Sequence, residues 1–128
     1  MSLTTPASDL LTDFLAHLVR ERGLSAHTLT AYGHDVGSFI GFLNARASAP
    51  TSCRDLGEIE PRTVRAWLSQ RRKAGLDSPA SLSRALSALR TFFTWIDATQ
   101  NVENARILAM AGPKQASRLP RPTSETDT

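Results

Sequence analysis

From Leu82 to Ile96 the apolar side chains Leu82, Ala85, Leu86, Leu89, Phe92, Phe93 and Ile96 recur at intervals of one, three and four. At about 100° per residue they share one arc of roughly 120°, the pattern of a helix with a single buried face. Such a stripe needs other elements to cover it. The rest of the chain supplies more helices: one over about residues 6–22 and one over about residues 26–46. Thr5 can cap the first and Pro6 suits its first turn; Leu10, Leu11, Phe14, Leu15 and Leu18 form its stripe and Gly23 ends it. Ser25 caps the second, whose stripe is Leu29, Tyr32, Val36, Phe39, Ile40 and Leu43. A third opens with Pro61, buries Val64, Trp67 and Leu68, and ends in Arg71, Arg72 and Lys73 before Gly75. The fourth, capped by Ser78, starts at Pro79 and reaches about residue 98; a shorter helix is expected over about residues 102–110.

Residues 47–57 are small and polar and read as a loop, and no alternation is long enough to build a sheet. One all-α domain over residues 1–112 is therefore expected. Residues 113–128, with Pro113, Pro120 and Pro122, read as an unanchored, disordered linker. No run approaches the ~18–20 apolar residues of a membrane span, and the N-terminus lacks the basic region of a signal peptide. The lone Cys53 has no CxxC partner and reads as a spectator thiol in a reducing cytoplasm.

The net charge of +3 conceals an asymmetry. Residues 1–61 carry four basic and seven acidic side chains, net −3, whereas residues 62–121 carry eleven basic and three acidic ones, net +8. A half-chain of that charge fits a polyanionic partner. Arginine outnumbers lysine thirteen to two, and its planar fork suits phosphates and guanine edges. A GC-rich genome would also favour arginine.

The fourth helix makes the case sharper. Opposite its apolar stripe lie Ser83, Arg84, Ser87, Arg90, Thr91 and Thr94, arginines among short hydroxyls with no acid. Such a face can approach a sugar-phosphate backbone, donate to phosphate and reach a base edge. An ordinary solvated helix is the competing reading. Opposite the stripe of the second helix lie His27, Thr30, Ala31, His34, Ser38, Gly41 and Ala45. Gly33, Gly37 and Gly41 each cost about 1 kcal/mol against alanine there, so smallness serves either tight helix packing or close approach to DNA. No catalytic set emerges: His17, His27 and His34 lack further ligands at metal spacing, and Tyr32 belongs to the core stripe.

Two segments carry a resemblance. Residues 25–36 (SAHTLTAYGHDV), with Phe39, Phe42 and Leu43, resemble the second helix of Xer-type tyrosine recombinases. Residues 82–95 (LSRALSALRTFFTW) resemble their fourth helix, and Glu103-Asn104-Ala105 through Leu119-Pro120 the segment leading to their linker. The resemblance implies the SAM-like core-binding domain of integrases, a four- to five-helix orthogonal bundle that clamps one face of a duplex recombination half-site. By that resemblance Thr28 and Thr30 meet phosphates and His34 faces the groove, while Ser81, Arg84 and Ser87 enter the groove and Arg90 meets backbone. With Ser83 and Thr91 from the helix face, these are the expected DNA-binding residues.

The family's catalytic residues lie in a C-terminal domain beyond such a segment, so this chain itself is expected to cleave nothing and to need no cofactor or metal. In the whole enzyme a tyrosine would attack the scissile phosphate to give a covalent 3′-phosphotyrosyl link. The implied partners are DNA, the C-terminal catalytic domain and other recombinase protomers in a tetrameric synaptic complex, all in the cytoplasm. Two departures stand out: Gly33-His34 replace residues that are often basic, and Asn104-Ala105 lacks the family's intervening proline. Chromosome dimer resolution, integration by a phage or transposon integrase, and a helical protein-interaction module without DNA remain alternative roles.

Overall fold

The computed structural model describes residues 3–75 and 78–110. Among them the regular structure is helical, apart from one isolated antiparallel bridge between Pro6 and Ser52. Helix α1 (Ala7–His17) continues into a wider π turn (Leu18–Arg22) and stops at Gly23, whose φ of 58° is left-handed. Helix α2 (Ala26–Ala47) follows Ser25, α3 (Cys53–Leu56) is a single turn, and α4 (Pro61–Lys73) starts at its proline. Helix α5 (Pro79–Gln100) follows Ser78, and a last turn, α6 (Ala105–Leu108), closes the described chain. The expected linker over residues 113–128 lies outside the described residues.

Two local expectations are corrected. Helix α1 begins after Pro6, which itself occupies the cap position, and no side chain caps it. The reason lies across the bundle. The Ala7 N–H donates to the Thr51 carbonyl at 2.8 Å, and the Cys53 N–H donates to the Thr5 carbonyl at 2.8 Å. The backbone at 51–53 thus does the work assigned to the Thr5 side chain. Consequently the segment 47–57 is not simply a loop. Ser52 and Asp55 form a reciprocal capping box around α3, and Cys53 and Leu56 are fully buried.

Helix α1 packs on α2, α2 on α5, and α4 on α2. Their stripes meet as aromatic edges: Phe14 and Phe92 have ring centroids 5.2 Å apart at 70°, and Phe39 and Trp67 are 5.1 Å apart at 64°. Edge-on pairs add about 0.5–1.5 kcal/mol beyond their buried area. The Trp67 Nε1–H donates to Ser38 Oγ at 3.1 Å, so Ser38 faces α4 rather than solvent. Gly33 and Gly37 face α1, where an added Cβ would lie 3.2 Å and 3.6 Å from Leu15 and Leu11 methyls. Helix packing accounts for both. Gly41 has nothing within 4 Å of such a Cβ and is exposed.

Asn104 fastens the end of the fold. Its Nδ2 donates to the Leu56 and Ile59 carbonyls, both at 2.9 Å, and its Oδ1 accepts from the Ile107 N–H at 3.3 Å. The residue is buried, and it caps α6 without the proline that the resemblance would place after it.

Candidate nucleic-acid interface

The two longest helices begin with the same device. The Ser25 Oγ accepts from the Thr28 N–H at 3.2 Å and donates to Thr28 Oγ1 at 3.0 Å. At α5 the Ser78 Oγ accepts from the Ser81 N–H at 3.2 Å and donates to Ser81 Oγ at 3.3 Å. Thr28 and Ser81 therefore act as acceptors within their caps, and their own protons are not consumed there. Both hydroxyls stand at the positive end of a helix dipole. The spacing Ser-x-x-Thr and Ser-x-x-Ser is the sequence signal for this arrangement.

Along the outer face of α5, Ser87 is exposed and Ser83, Arg90 and Thr91 are half-buried. Arg90 lines a shallow hollow with Ser87, Thr91, Thr94 and Leu108 of α6, so its stem lies along protein while its head can reach outward. The threonines are less ready to donate than their composition implies. Thr30 Oγ1 donates to the Ala26 carbonyl, Thr91 to Ser87 and Thr94 to Arg90, each at 2.9 Å. With their protons held by their own helices, they offer methyl groups and acceptor oxygens. His34 is exposed on α2, one residue from the charged centre of the site.

That centre is Asp35. It is fully buried, and its carboxylate joins three helices. Arg84 of α5 donates from Nε to Oδ2 at 3.0 Å and from Nη2 to Oδ1 at 3.3 Å. Arg71 of α4 approaches Oδ1 with Nη2 at 3.1 Å, its guanidinium 5.2 Å from the Trp67 ring centroid. The Arg71 side chain is 8% exposed and that of Arg84 45%. Sequence reasoning placed Arg84 on a free face and Arg71 among the terminal cations of its helix, and missed Asp35 altogether. A signal existed: Asp35 lies three residues after Tyr32 and four before Phe39, at the edge of the apolar arc between Phe39 and Phe42, where an acid needs a partner.

Two further titratable groups among the described residues are shifted from their ordinary range. Burial pushes the Cys53 thiol above its ordinary range, which disfavours the reactive thiolate. Arg62 pairs with Glu60 at 2.7 Å on the exposed start of α4, and that hydrogen bond holds the Glu60 carboxyl below its usual range. Among the described residues no three His, Cys, Asp or Glu side chains gather to hold a metal, and no helix is long and apolar enough to cross a membrane.

The family model described as phage integrase, N-terminal SAM-like domain, matches residues 11–100. The tyrosine recombinase XerC of Rhodospirillum centenum is 36% identical over 110 residues, covering 86% of this chain and 32% of the relative. That of Agrobacterium fabrum is 36% identical over 126 residues, or 96% of this chain and 40% of the relative. That of Rickettsia rickettsii is 29% identical over 125 residues, 98% of this chain and 41% of the relative. The chain thus spans between 32% and 41% of the length of these curated relatives. No solved structure matches it.

Proposed function

Because this chain belongs to the phage integrase N-terminal SAM-like domain family, we propose that it grips duplex DNA as the N-terminal half-clamp of a tyrosine site-specific recombinase. One observation carries the reading. The acid-free face of α5 stands beside the outer face of α2, the two tied through Asp35 and Arg84. Thr28 and Ser81, at the helix starts, donate to phosphates. Ser83, Arg84 and Ser87 face the major groove with His34, and Arg90 reaches a flanking phosphate. Thr30 and Thr91 contribute acceptor oxygens and methyl groups.

Strand cleavage belongs, in this reading, to a C-terminal catalytic domain that closes on the other side of the half-site. Further protomers complete a tetrameric complex in the cytoplasm. The name shared by the relatives supports the Xer type, and with it chromosome dimer resolution, over a phage or transposon integrase.

The test is a titration of a labelled duplex with this chain across a salt series. Weak binding is expected at low salt, because a single module covers less surface than a full clamp, and most of it should vanish by about 0.2 M salt. A chain that ignores duplex DNA at low salt is instead the protein-interaction module of the alternative reading, whose interface would tolerate salt.

A further inference from the structure

Thr91 and Thr94 have turned their hydroxyl protons inward. Thr91 Oγ1 donates to the Ser87 carbonyl and Thr94 Oγ1 to the Arg90 carbonyl, both at 2.9 Å. On a β-branched residue a bonded oxygen fixes χ1, and with it the direction of the Cγ2 methyl. The two residues stand three apart on α5, between two hollows. One, of about 340 Å³, they share with Ser87, Arg90 and Leu108; the other has Phe14 and Trp95 in its wall. Thr94 is exposed, and Thr91 and Leu108 are half-buried.

A base edge that meets this ridge must suit it. Guanine O6 and N7 and adenine N7 require a donor, and both hydroxyl protons are already given to the helix. An amino group of adenine or cytosine would find a lone pair, but would lose water against Leu108. Thymine instead brings an apolar group, its C5-methyl, with the O4 acceptor beside it. The exposed Ser87 hydroxyl, one turn back, has the chemistry to serve O4.

We infer that Thr91 and Thr94 read a thymine through its methyl group, packing their own methyls on it at the mouth of the hollow that Leu108 lines. The inference rests on the DNA-binding reading above and deepens it by naming a base and the residues that select it. It also sets these two apart from Arg90, whose charge serves the backbone whatever the sequence.

The experiment begins with selection by the wild-type chain from duplexes carrying a randomised core. The enriched duplex and a scrambled version are then titrated. Each thymine of the enriched duplex is also replaced in turn by 2′-deoxyuridine, which lacks only the methyl. On the protein side, Thr91→Ser/Thr94→Ser removes the methyls and keeps the hydroxyls, and Thr91→Val/Thr94→Val does the reverse. Valine and threonine have close helix propensities, and circular dichroism with thermal melting records folding. The uracil arm changes the DNA alone, so it carries the test should a variant not fold.

At one thymine the uracil duplex should bind the wild type about fourfold more weakly, the effect of losing one buried methyl. The serine variant should lose at least as much on the enriched duplex, and the uracil change should then cost it nothing more. The valine variant should keep both the affinity and the methyl preference. All three chains should bind the scrambled duplex alike.

The inference is overturned by a folded valine variant that binds the enriched duplex poorly while the serine variant binds it well, since the hydroxyls would then be in use. So it is by uracil duplexes that all bind like their parent, or by a serine variant as sensitive to uracil as the wild type. A wild type that binds duplexes without preference also sinks it, and leaves the grip on DNA standing. If the wild type binds no duplex at low salt, the DNA-binding reading itself falls, and the inference with it.

Discussion

Helices α2 and α5 each run for 22 residues from a serine cap that serves the third helical residue. Each stops at a non-glycine residue in the left-handed region, Ser48 at φ 53° and Asn101 at φ 58°. Between these matched ends they are built differently. Helix α5 buries eight residues, all apolar. Helix α2 buries five, of which one is Asp35, and carries three glycines. The first is anchored by its own hydrophobic stripe. The second depends on its neighbours: α1 lays Leu11 and Leu15 on two of its glycines, Gly37 and Gly33, and α4 and α5 supply the cations for its acid. The outer face of α2 is therefore placed by α5, and damage should travel between them unequally.

The largest expected effect is at that shared charge. Asp35→Ala should destabilise the chain by about 3–5 kcal/mol, because it removes the buried carboxylate that faces the nearly buried Arg71 guanidinium. Arg84→Ala, which removes a half-exposed partner while Arg71 stays, should cost about 1 kcal/mol or less after solvent screening. Urea denaturation of the two variants measures both, and a greater loss at Arg84 would reverse the dependence just described.

Next come the two arginines of α5 on DNA. Arg84→Ala should lose about 1–3 kcal/mol of discrimination between a selected and a scrambled duplex. Arg90→Ala should weaken both duplexes alike and flatten the salt slope by about one unit. Equal losses for Arg84→Ala on both duplexes would make it another backbone contact.

The caps offer a direct check on the likeness of the two helices. Ser25→Ala and Ser78→Ala should each lower stability by about 1 kcal/mol, and by nearly the same amount. Thermal melts that differ widely would show that the two starts are equivalent in geometry alone. The smallest effect has the opposite sign. Gly41→Ala should stabilise by about 0.5–1 kcal/mol, since its Cβ enters open space. At Gly33 the Leu15 methyl at 3.2 Å must yield, so alanine there should gain less or lose.

What could be read without coordinates was whatever rests on neighbours in sequence. Ser25, Gly23, Pro61 and Ser78 mark their boundaries because capping and proline geometry act within a turn. The start of α1 was misplaced because the partner of its first amide, Thr51, comes from a distant segment. The turn at Cys53 escaped notice because its short, polar surroundings masked the Ser52–Asp55 box. On the proposed interface, helical periodicity placed Arg84, Ser87, Arg90 and Thr91 on one side of α5. It could not show that Arg84 meets Asp35, 49 residues away, because periodicity says which way a side chain points and not what stands opposite. The glycines of α2 divide the same way: Gly33 and Gly37 serve α1, a fact of packing that spacing alone leaves open.

The clamp at Asn104 has a mechanical meaning. By gripping the Leu56 and Ile59 carbonyls while holding the first turn of α6, it welds the last described helix to the junction ahead of α4. A chain that runs on past Met110 leaves the bundle from a fixed bracket instead of a swivel. A pull or twist applied there is passed to α4, the helix whose Arg71 shares a carboxylate with Arg84.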